Sequence, residues 1–68
     1  MNNWFLLYTT KSFAEANIIQ GMLEENNVPV QVLNKLDSSY PMFGDMKIYV
    51  PLHLKDIAQE LLNNALLN

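Results

Sequence analysis

The chain has 68 residues, half of them apolar, with no cysteine and a net charge of −3 from four lysines, no arginine and seven acids. That length makes one domain at most, the apolar content suits a folded rather than a disordered chain, and without thiols there is no disulfide or thiolate metal site. The scattered cations Lys11, Lys35, Lys47 and Lys55 cannot replace the counterions of a nucleic acid or hold an anionic membrane surface. The opening MNNWFLLYTTK has no basic leader and only five consecutive apolar residues. Neither a signal peptide nor a membrane span is expected there, so a cytoplasmic single domain over residues 1–68 is the expectation.

WFLLYT, residues 4–9, is a short aromatic-rich run and reads as a first strand. SFAE follows, in which Ser12 can cap a helix and Glu15 can reach back to the Ser12 amide as a capping box. At 100° per residue, Ala16, Ile18, Ile19, Met22 and Leu23 share one side of that helix. It should end near Asn26–Asn27, where asparagine tolerates a left-handed cap. Residues 28–34, VPVQVLN, alternate with Val28, Val30 and Val32 on one face, and Pro29 assigns this second strand to a sheet edge. An irregular connection covers 36–45. MKIYV, 46–50, is a third strand with Met46, Ile48 and Val50 opposite Lys47 and Tyr49. Pro51 ends it, and a second helix runs from about Leu54 to Leu67 with a stripe of Leu54, Ile57, Ala58, Leu61, Leu62 and Ala65.

The order β-α-β-β-α, with a right-handed crossover, predicts an α+β, ferredoxin-like two-layer sandwich. Its three-stranded sheet takes the order 1-3-2, with both helices on one face and the usual final strand absent. Strand 1 then has an edge with neither proline nor charge to protect it. The helix-free face receives Gln31, Leu33, Lys47 and Tyr49, together with Trp4, Leu6 and Tyr8 or, in the opposite parity, Phe5 and Leu7. Burying about 400 Å² of such a face would contribute roughly 10 kcal/mol gross per subunit, against an association cost of about 4–15 kcal/mol. A chain this short also lacks other staples. The expectation is a homodimer through the strand 1 edge or the open face, with Trp4, Leu6, Tyr8, Leu33, Lys47 and Tyr49 as the interface.

Little in the chain points to catalysis, and no catalytic, cofactor or metal residue is assigned. His53 is the single histidine, just before the second helix, and its spacing to Asp45 and Asp56 matches no metal site. Ser38 and Ser39 beside Asp37 read as turn chemistry, and Gly44–Asp45 as a turn rather than a phosphate loop. Tyr40, Met42 and Phe43 around Pro41 either cover the edge of the core or, with Asp45, form a ligand loop. Tyr49 on such a sheet could stack RNA bases, but the accompanying motif and the positive charge are missing.

The run from Tyr8–Thr9 through Glu15–Ala16, Leu23–Glu24, Val28–Pro29 and Asn34, then Pro41, Gly44, Val50, Asp56, Ala58 and Leu61–Leu62, resembles a family of short prokaryotic proteins described as putative signal-transducing proteins. That family is similar in fold to the GlnB-like nitrogen-regulatory oligomers, so the resemblance implies a regulatory or sensing role. It does not extend to ATP: the connection after the second strand is ten residues, and nothing matches the regulators' basic phosphate-binding positions. The functional expectation is a non-catalytic regulatory module acting through protein contacts with an unidentified protein partner or small ligand. A metabolite sensor with a site between subunits and an accessory subunit of an enzyme are the alternatives.

Overall fold

The computed structural model describes residues 3–34 and 45–66. Within them β1 spans Trp4–Thr10, α1 Phe13–Glu25, β2 Gln31–Asn34, β3 Met46–Pro51 and α2 Lys55–Leu66, with a single 3-10 turn, Leu52–Leu54, leading into α2. The sheet order is β1-β3-β2, antiparallel at both joints. β1 and β2 therefore run parallel with β3 inserted between them, the split β-α-β arrangement of a ferredoxin-like α+β fold.

The alternation of β3 sets the core. Met46, Ile48 and Val50 are buried while Lys47, Tyr49 and Pro51 are half-buried. Onto the first set pack Ala16, Ile19 and Leu23 from α1 and Ala58 and Leu62 from α2. Both helices thus lie on one face. The expected apolar arcs are broader than the buried ones. Ile18 is 68% exposed and Ile57 is 52% exposed, and Ala65 is exposed as well. In α1 the buried side centres on Ala16, Ile19 and Leu23, and Ile18 falls about 130° around the helix from that centre.

Local chemistry fixes both ends of α1. At its C-terminus Asn27 adopts φ 63°. The Asn27 amide donates to Glu24 O at 3.1 Å and the Val28 amide to Leu23 O at 2.9 Å. This is a Schellman motif, with its usual apolar contact supplied by Leu23 and Val28, both in the core. Val28 is therefore part of the helix cap rather than of the second strand, and β2 begins only at Gln31, after Pro29. Pro29 has no amide hydrogen to offer a ladder. Val28, Val30 and Val32 still pack on the core side, and β2 is an edge strand, as expected.

At the N-terminus the expected capping box is half formed. The Glu15 amide donates to Ser12 Oγ at 3.1 Å, but the Glu15 carboxylate does not return to the Ser12 amide. That amide donates instead to Thr10 Oγ1 at 3.0 Å, and the Thr10 hydroxyl donates to Glu15 Oε1 at 2.6 Å. The buried Thr10 side chain thus relays the box, satisfying an orphan helix donor and holding the acid against the positive end of the helix.

Candidate functional site

Thr10 reaches that position because β1 contains a bulge. Phe5 pairs with Val50 and Leu6 with Tyr49, but Tyr8 pairs with Ile48 and Thr10 with Met46. Leu7 is the extra residue, so Leu7 and Tyr8 together oppose Ile48 and the alternation reverses beyond them. Leu7 is buried and Tyr8 packs against the core. This corrects the expected placement of Tyr8 beside Trp4 and Leu6. It lies on the helix side, and Thr9, paired with Lys47, takes its place on the open face. The alternative parity fails too, since Phe5 and Leu7 both join the helix side.

Cross-strand partners share a face, so the open side of the sheet can be read in rows. Trp4 lies beside Pro51. Leu6, Tyr49 and Gln31 form the next row, and Thr9, Lys47 and Leu33 the one after. Five of the six expected interface residues, Trp4, Leu6, Leu33, Lys47 and Tyr49, are therefore brought together. Leu6 remains 41% exposed and Leu33 39%. The apolar surface is continuous from Trp4 and Pro51 across Leu6 and Tyr49, and Lys47 is the one charge among these eight side chains. Among the described residues, no strand pairs with the outer edge of β1.

Pro51 and Thr9 were missed in the sequence reading. Extending the β3 alternation by one residue finds Pro51. Nothing in the local sequence marks Thr9, since that depends on the bulge. Also unforeseen is a depression of about 510 Å³ at the Trp4 end of the face, lined by Asn3, Trp4, Pro51, Leu52 and His53. The corner is closed by the Leu52 amide, which donates to Asn3 O at 2.8 Å. His53 sits exposed in the 3-10 turn. No group of three histidines or acids among the described residues is placed to hold a metal ion.

The other expected loop residues, Tyr40, Met42 and Phe43, lie outside the described residues, and Asp45 is half-buried just before β3. At the Leu52–Lys55 corner, Lys55 Nζ lies 5.8 Å from the centroid of the Phe5 ring, a cation–π contact at the helix-side rim. No described helix is long and apolar enough to cross a membrane.

No curated protein and no solved structure matches the chain. A family model described as "putative prokaryotic signal transducing protein" matches residues 4–65. That span includes every described strand and helix except the last residue of α2, so the chain belongs to the family that carries this description.

Proposed function

We propose that the protein is a non-catalytic signal-transducing module that works by presenting the open face of its sheet to a second copy of itself. The observation that carries this is the apolar surface of Trp4, Leu6, Tyr49 and Pro51, with Leu33 in the row beyond beside Lys47, which none of the described helices covers. Contiguous apolar surface that stays partly exposed marks interaction sites, and Lys47, on the central strand but in the last row of the face, can carry its ammonium past the end of the sheet.

Size sets the strength of the contact. A three-stranded face with strands about 4.8 Å apart and a rise of about 3.3 Å per residue covers roughly 14 by 20 Å along the six residues of β3. That is well below the ~800 Å² per partner of a standard stable interface. The dimer is accordingly weak and reversible, with a dissociation constant on the order of micromolar or higher. An association of that strength can be switched by modest changes in concentration or by a competing partner, which is what a signalling module requires.

Light scattering across a concentration series tests the reading. A mass rising from one copy toward two, abolished by Leu6→Asp, is expected. A single-copy mass throughout a series that reaches about 1 mM rejects it. The Leu6 side chain is 41% exposed and lies outside the core cluster, so its replacement removes little core packing, and circular dichroism of the variant should match the parent.

A further inference from the structure

The depression at the corner of β1 and β3 brings together the chain's single tryptophan and single histidine. They are far apart in sequence and are joined by the Trp4–Pro51 register and the Leu52–Asn3 hydrogen bond. Its volume of about 510 Å³ is that of a small-molecule site, roughly 300–1,000 Å³, in a depression open to solvent that covers one side of a ligand.

The chemistry of its lining is specific in two ways. Trp4 and Pro51 are register partners on adjacent strands and both line the depression, so an indole and a pyrrolidine ring are at hand for a planar ring to pack against. Asn3 and His53 supply an amide and an imidazole, between them both hydrogen-bond donors and acceptors. Among the described residues no lysine, aspartate or glutamate lines the depression, so those that do line it favour a neutral ligand over a phosphate or a carboxylate. Leu52, 46% exposed, leaves apolar surface at the rim for a ligand to cover.

We propose that this depression is a binding site for a small neutral planar ring that carries a hydrogen-bonding group such as a carboxamide. The site is built within one protomer and goes beyond the function proposed above, and because Trp4 and Pro51 also belong to the face proposed for self-association, ligand and second copy compete for them.

Benzamide is a suitable probe, with cyclohexanecarboxamide as the non-planar control and benzoate as the charged one. Each is titrated into the ¹⁵N-labelled chain by NMR, at a dilute concentration and again tenfold higher, so that dimer formation is scored separately from ligand binding. The expected result is a saturable shift of the Trp4 indole and of the Asn3, Leu52 and His53 amides by benzamide. A dissociation constant of about 1 mM fits a ligand this small. Binding should be weaker by at least about threefold for either control, and weaker by about two- to tenfold in Asn3→Ala or His53→Ala, the usual cost of one hydrogen bond. Both residues are exposed, so neither substitution removes core packing. Absence of saturable shifts, equal binding of all three probes, or shifts centred elsewhere would overturn the proposal.

Discussion

The bulge in β1 can be tested with two adjacent threonines. Thr9 lies on the open face opposite Lys47, while Thr10 lies on the helix side opposite Met46. Valine has nearly the shape of threonine, so Thr→Val removes a hydroxyl and little else. At position 10 that hydroxyl accepts from the Ser12 amide at 3.0 Å and donates to the Glu15 carboxylate at 2.6 Å. A hydrogen bond to a charged group contributes about 1.5–3 kcal/mol, and a neutral one about 0.5–1.5 kcal/mol. Both partners lose part of this to water, which reaches Glu15 and Ser12 at the helix end. The expected net cost of Thr10→Val is therefore about 1–2 kcal/mol. In a domain of this size that lowers Tm by roughly 4–16 °C. Thr9→Val, on an exposed position, should stay within about 0.5 kcal/mol of the parent. Urea denaturation followed by circular dichroism reads both. A Thr9→Val variant less stable than Thr10→Val would refute the bulge, because an unbroken strand would put Thr9 on the helix side.

Two further substitutions test the backbone reading of α1. A Cβ added at Gly21 would meet nothing within 4 Å, so Gly21→Ala should stabilise the domain by about 0.5–1 kcal/mol through helix propensity alone; an unchanged or lower urea midpoint would contradict this. Asn27 holds φ 63°, so Asn27→Ala should cost about 1 kcal/mol while Asn27→Gly costs nothing or stabilises, and thermal unfolding of the pair in which alanine equals glycine would exclude the left-handed cap.

Much of the architecture was readable because the relevant signals are local. The alternation of Met46, Ile48 and Val50 against Lys47 and Tyr49 identified the central strand and its two faces. Ser12 and Asn26–Asn27 marked the ends of α1, and Pro29 assigned β2 to an edge. Strand 1 was legible as a strand but not in its parity. WFLLYTT is apolar on both sides over its first five residues, and its two threonines are identical neighbours. No pattern says which of them faces the helix. The bulge that decides it depends on β3 and on the hydroxyl required at the start of α1. Ile18 and Ile57 were misplaced because helical periodicity shows an apolar side but not how wide a strip two helices can bury on a three-stranded sheet. The depression at the sheet corner was invisible because it joins residues about fifty apart in sequence, through register.

The account depends most on the sheet face opposite α1 and α2 being where copies of the chain meet. An NMR dilution series from about 1 mM to about 50 µM, spanning the range in which a contact of this size dissociates, locates that contact residue by residue. Shifts should change with concentration at Trp4, Leu6, Gln31, Leu33, Lys47 and Tyr49, with Ile18 and Ile57 on the helical layer unmoved. Concentration-dependent shifts confined to the helices, or spectra that do not change while the mass stays that of one copy, would contradict it.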